Sequence, residues 1–137
     1  MHLKTIFPVV IVFKKGVTLS PAHIGMMAVV GRSQVAVGQR PTVSILSTGD
    51  EILELDQKPE GPQIYNSNGH MLAAQIRSAG GLPVYLGIAK DTEKDLMEKF
   101  ESALKADIVV SSGGVSVGDY DLVKASLQKM GQEMLFW

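Results

Sequence analysis

The chain has 137 residues, a length that suits one domain. Hydrophobic residues make up 45% of it, enough for a sizeable core, and a formal net charge of −1 gives no electrostatic drive toward nucleic acid or an anionic membrane. The lack of cysteine excludes disulfides, thiolate nucleophiles and cysteine zinc sites, and it fits a reducing, cytoplasmic setting.

Residues 1–40 read as an irregular lead-in. The apolar stretch Ile6–Phe13 contains a proline and is too short to span a bilayer. Lys14, Lys15 and Gly16 follow where a signal peptide would need small residues for cleavage, so a strand or an unstructured leader is expected. Ser20-Pro21 predicts the start of a short helix, with serine as cap and proline in the first turn; Gly31 closes it. Val35–Val37 reads as a brief strand.

From residue 41 to 137 strands and helices alternate. Val43–Leu46 is the first predicted strand, with Ser47–Asp50 as the loop behind it. A polar stretch containing Pro59, Gly61 and Pro62 is a surface loop. Asn66–Ala79 reads as a helix with Leu72, Ile76 and Ala79 on one face, ended by Gly80-Gly81. Val84–Ile88 is the second strand. Thr92 and Asp95 have capping-box spacing before a helix carrying Leu96, Met97, Phe100 and Leu104. Ile108–Val110 is the third strand. The loop Ser111–Gly118 leads to a helix from about Asp119 to Met130, and Met134–Trp137 is a last apolar run. Such alternation predicts a mainly parallel sheet covered on both faces, a three-layer αβα arrangement.

Open parallel sheets bind ligands beyond the carboxyl ends of their strands. Two loops fall there, Ser47–Glu51 and Ser111–Asp121. In the second, Gly113 and Gly114 let the backbone approach a ligand, and several N–H groups can then face one anion. Ser111, Ser112 and Ser116 add hydroxyls, and the following helix adds its positive dipole end. A tight turn that binds nothing is the bland alternative. No GxGxxG and no GxxxxGK[ST] occurs, so dinucleotide and P-loop readings lose support. Asp50, Glu51, Asp91, Asp119 and Asp121 cluster at the predicted strand ends. Beside a phosphate they would repel the ligand unless a hard cation such as Mg²⁺ lay between, although each acid also suits a helix cap or a solvated loop. His23 and His70 are expected at the surface. Tyr65 and Tyr120 are expected to pack rather than stack on a ligand, and Asn66, Ser67 and Asn68 suit a helix cap.

Three segments, Ser47-Thr48-Gly49-Asp50-Glu51, Gln63–Asn68 and Ser112–Asp121 (SGGVSVGDYD), together with Leu86-Gly87-Ile88 followed by Asp91, resemble the molybdopterin molybdenumtransferase family. Lys14–Gly31 resembles the segment that precedes this domain in that family. The related adenylyltransferases of MogA and MoaB type, with a GTGGTG-type loop, and the competence-damage proteins, with a TTGGLGPT-like loop, match less well. The resemblance implies a doubly wound molybdopterin-binding fold of MogA/MoaB type, with residues 1–40 as a remnant of the preceding region and 41–137 as a C-terminally incomplete domain. It implies insertion of molybdate into adenylylated molybdopterin with release of AMP, assisted by Mg²⁺. By motif position, Glu51, Asp91 and Asp121 match family acids of the active site. Thr48, Gly49, Asp50, Asn66, Asn68, Ser112, Gly113, Gly114 and Ser116 would hold the pterin and its phosphate. Asp119, Asp121 and Glu51 would hold the metal. A homo-oligomer, dimer or trimer, and the adenylyltransferase of the same pathway are the expected protein partners, with no nucleic acid and no membrane. A nucleotide or pyrophosphate hydrolase of competence-damage type, and a non-catalytic oligomerisation module, are the competing functions.

Overall fold

A computed structural model describes residues 11–113, 122–133 and 135. The chain divides into two compact units, Met1–Gly38 and Gln39–Trp137.

The first unit is built on helix α1, Pro21–Val29. Ser20 caps it in extended conformation, but the capping partner is His23. The Ser20 backbone N–H donates to His23 Nδ1 at 3.0 Å, and Ser20 Oγ lies 2.8 Å from the same nitrogen. Half-buried His23 is therefore structural rather than an idle surface residue, and its ring meets Phe13 edge-on at 5.3 Å. Gly31, at φ +71°, ends the helix as expected: its N–H bonds Ala28 O and Arg32 N–H bonds Met27 O, the pairing of a Schellman cap. Val35–Val37 forms no strand. Its backbone gains no ladder partner among the described residues, so a short apolar run alone does not make a strand there.

The second unit is a parallel sheet of β1 (Thr42–Thr48), β4 (Leu82–Ala89) and β5 (Ile108–Ser112) in the order β4-β1-β5. Between β1 and β4 run a two-residue parallel pair, β2 (Ile52–Leu53) and β3 (Ile64–Tyr65), and helix α2 (Ser67–Ser78). Helix α3 (Glu93–Ala103) links β4 to β5, and α4 (Leu122–Lys129) follows β5. β1 is central and buried from Val43 to Thr48, while the flanking β4 and β5 are more exposed. Ser47 and Thr48 are thus strand rather than loop; polar residues at a strand end look like a turn in sequence, but here both are paired, with Ile88 and Ala89 on β4.

Helices cover both faces, giving the three-layer α/β fold. On one side Leu46, Ala89, Leu96, Phe100 and Ala103 form the core, joined by Leu122, Val123 and Leu127 of α4. On the other, α2 packs through Gly69, Leu72, Ala73 and Ile76, and Gly81 lies against Ile76 and Val43. Two residues expected in the core are exposed. Ala79 and Leu104 are the C-caps of α2 and α3, where the helix has already left the sheet, and Ala103 takes the place foreseen for Leu104. Gly80 and Gly81 close α2 in the Schellman pattern, to Arg77 O and Ile76 O. At the head of α3, Thr92 Oγ1 accepts from Asp95 N, but the Asp95 carboxylate reaches back to Lys90 N (2.7 Å) rather than to Thr92. Met134–Trp137, read as a last apolar run, falls largely outside the described residues, and Leu135 is exposed coil.

A bulge interrupts β4. The pairing of Ile45 with Tyr85 moves to Ser47 with Ile88, so Leu86 and Gly87 together face Leu46. Gly87 makes the kink at φ +80°, and Lys99 Nζ donates to the Leu86 carbonyl (2.9 Å) left beside it. The other end of the sheet is stapled by side chains. Asp107 Oδ2 accepts from Thr42 N and Oγ1, both at 2.7 Å, and Asp107 N donates back to Thr42 Oγ1.

Candidate functional site

Parallel strands bring the carboxyl ends of β1, β4 and β5 to one edge of the sheet, where the loops carrying the expected site residues begin. Thr48 ends β1. It is 2% exposed, and its Oγ1 has no hydrogen-bond partner among the described residues. Burying a hydroxyl unpaired costs on the order of 1–3 kcal/mol, so a polar group held this way at a strand end invites an explanation. Gly49 follows at φ +140°, its N–H on Ala89 O, with the Glu51 carboxylate folded against it: a Cβ at Gly49 would lie 2.7 Å from Glu51 Oε2. Glu51 and Asp50 are exposed, and the Asp50 carboxylate accepts the Asp91 N–H at 3.2 Å. The β1 and β4 loops are thereby tied together.

Gly113 begins the third loop at φ +102°. A Cβ there would meet Thr48 O at 2.3 Å, so the missing side chain lets the start of this loop seat on the end of the β1 backbone. Ser112, just before it, accepts a hydrogen bond from Asn68 Nδ2 (3.0 Å), which fastens the first turn of α2 to the end of β5. Gly114, Ser116, Asp119 and Asp121 lie outside the described residues.

Asn66, an expected site residue, is enclosed by the protein. It is 1% exposed and caps α2, its Oδ1 accepting from Gly69 N and from Ser47 Oγ, both at 3.0 Å. Its Nδ2 donates to Tyr85 Oη (2.7 Å), and the phenol donates to Glu54 Oε1 (2.8 Å). Partial burial, then the hydrogen bond to the Glu54 carboxylate, push the Tyr85 phenol up to about 12. This chain of side chains went unread in the sequence. The glycine inside a predicted strand at Gly87 was the one available sign of irregular geometry nearby.

Beside the β1 and β4 loops is a cleft of about 430 Å³ lined by Gly49, Asp50, Leu53, Glu54, Gly87 and Lys90. Among the described residues, no three histidines or acids converge as metal ligands would. Two of the three expected ligands, Asp119 and Asp121, are not among them. No helix of the described residues is long and apolar enough to cross a membrane.

Fold and edge together place the chain among α/β domains with a parallel sheet, a class whose ligands bind beyond the carboxyl ends of the strands. Residues 44–137 match the family described as a probable molybdopterin binding domain, and the chain belongs to that family. It is 45% identical over 117 residues to a molybdopterin molybdenumtransferase of Nostoc sp. PCC 7120, covering 85% of this chain and 27% of that protein. A Bacillus subtilis molybdopterin molybdenumtransferase is 36% identical over 127 residues, covering 92% of this chain and 30% of that protein. The chain thus spans less than a third of these relatives. Among solved structures it resembles a molybdopterin biosynthesis MoeA protein from Pyrococcus horikosii, with a TM-score of 0.75 and 32% identity over 85% of this chain and 29% of that one.

Proposed function

We propose that this chain binds the phosphate end of a molybdopterin at the loops after β1 and β5. In a longer enzyme it would contribute that binding to the insertion of molybdate into adenylylated molybdopterin with release of AMP. The observation that carries the reading is the seating of Gly113 on Thr48. It brings the two loops together at the carboxyl edge of the sheet, beside a buried threonine hydroxyl that has no partner among the described residues. Family membership and the molybdenumtransferase relatives support a molybdopterin as that ligand.

In this reading Thr48, Gly49, Ser112, Gly113, Gly114 and Ser116 line the phosphate, with Asn68 bracing Ser112 and Asp50 bracing the Asp91 loop. Asn66 acts from behind, as a cap. Glu51, Asp91 and Asp121 are the acids proposed to act on the reacting groups. Mg²⁺ would be held by Glu51, Asp119 and Asp121, a donor set of the hard oxygens that cation prefers. A homo-oligomer in the cytoplasm, receiving its adenylylated pterin from an adenylyltransferase, belongs to the same proposal.

Calorimetry of the 137-residue chain with adenylylated molybdopterin, with and without Mg²⁺, tests it. Saturable binding is expected, weakened by about tenfold or more, about 1.4 kcal/mol, in the Asp121→Ala, Gly114→Val double variant. Equal affinity in that variant would remove the site assignment.

A further inference from the structure

We infer that Tyr85 is a positioning residue for the candidate site: by orienting Asn66 it sets the angle at which α2 presents Asn68 to Ser112. The inference rests on the proposed site for its consequence, but its geometry stands independently.

The argument follows the hydrogen bonds. Asn66 Oδ1 is occupied twice, by Ser47 Oγ on β1 and by Gly69 N in α2, so the amide nitrogen must find its own partner in a residue that is 1% exposed. Tyr85 supplies that partner. Its phenol hydrogen is committed to Glu54 Oε1, so a lone pair is turned toward Asn66 Nδ2. The direction of the chain is therefore set from the cleft inward, Glu54 orienting Tyr85 and Tyr85 orienting Asn66.

Packing reinforces the bonding. Gly69 lies so close to the Tyr85 ring that a Cβ would fall 2.7 Å from Cε2. The first turn of α2 is thereby pressed onto β4, with Asn68 between the cap Asn66 and the contact Gly69. Asn68 is the residue whose amide reaches across to Ser112 Oγ at 3.0 Å, at the root of the β5 loop. Losing the Tyr85 hydroxyl would leave Asn66 Nδ2 buried without an acceptor, and rotation of that amide would loosen the cap that holds Asn68 in place. The β2–β3 pair is drawn in as well, because Asn66 N–H bonds Leu53 O.

The test is Tyr85→Phe in the full 137-residue chain, which removes one oxygen and keeps the ring. Two quantities are read: hydrogen exchange of the Asn68 side-chain amide by NMR, and calorimetric affinity for molybdopterin. Exchange at Asn68 is expected to quicken by about tenfold, as the local opening becomes easier. Affinity is expected to fall by about tenfold. Glu54→Gln, which keeps an acceptor for the phenol, is expected to keep the parent's exchange rate at Asn68, whereas Glu54→Leu is expected to quicken it. A Tyr85→Phe protein with lowered thermal stability but unchanged Asn68 exchange and affinity would show a merely structural role and overturn the inference. If Tyr85→Phe does not fold, Glu54→Leu decides: unchanged Asn68 exchange overturns the inference and faster exchange supports it. If the wild-type chain binds no pterin, the proposed function fails, while the Asn68 exchange still decides the positioning role.

Discussion

Gly113 rests directly on Thr48: a Cβ at position 113 would fall 2.3 Å from the Thr48 carbonyl oxygen and 2.8 Å from its Oγ1. Thr48 ends β1 and Gly113 directly follows the end of the adjacent parallel strand β5, so their contact sets the spacing of the loops that follow. Thr48 cannot retreat, because it ends a central strand buried from Val43 onward.

Gly113→Ala is therefore expected to destabilise the fold. The φ of +102° alone costs an alanine about 1–3 kcal/mol, and the backbone contact adds to that. Urea denaturation measures the loss. A variant as stable as the parent would show that the two strand ends do not meet in this way.

Phe100 is 1% exposed at the centre of the α3–α4 core, so Phe100→Ala should cost about 3–5 kcal/mol. Leu104→Ala, one turn on, should cost about 0.5 kcal/mol or less, because Leu104 is 39% exposed. Denaturation of the pair checks which face of α3 is inside; equal costs would contradict the packing described.

Asp107 gives a dependence on acid. Hydrogen bonds from the Thr42 hydroxyl and backbone N–H hold its carboxyl below the usual carboxylate range. The folded value is depressed, so the staple contributes its full stability above the unfolded value of about 3.9 and loses it as pH falls through the lower folded value. Melting temperatures from pH 6 downward should fall more steeply for the parent than for Asp107→Asn. Parallel curves would contradict the prediction.

Tyr85 gives the opposite case at high pH. Its folded value is raised from 10.0 to about 12, so its contribution is complete below 10.0 and is lost as pH rises toward 12. Ultraviolet titration of the parent against Tyr85→Phe should show one phenol ionising near 12 that the variant lacks. If every tyrosine of the parent titrates at the ordinary value, the bond to Glu54 is absent.

Much of this architecture was legible beforehand, for local reasons. Ser20-Pro21, Asn66, Thr92 and the Gly80-Gly81 pair are start and stop signals that act within a few residues, and each lies at an observed helix boundary. Elsewhere the deciding partner is distant. Thr42 finds Asp107 at a separation of 65 residues, and Tyr85 finds Glu54 at a separation of 31. β2 and β3 are two residues each and carry no period to detect. Gly113 was legible as a position of positive φ and close approach, but its seat on Thr48 was not, because spacing shows that a backbone must come close without showing to what.

The most direct test of the central claim is to map backbone NMR shifts of the 137-residue chain as molybdopterin is added. The account predicts that the largest changes fall at Thr48, Gly49, Ser112 and Gly113, with smaller ones at Asn68 and Asp91. Saturating shifts confined to other surfaces, with Thr48 and Gly113 unmoved, would contradict it.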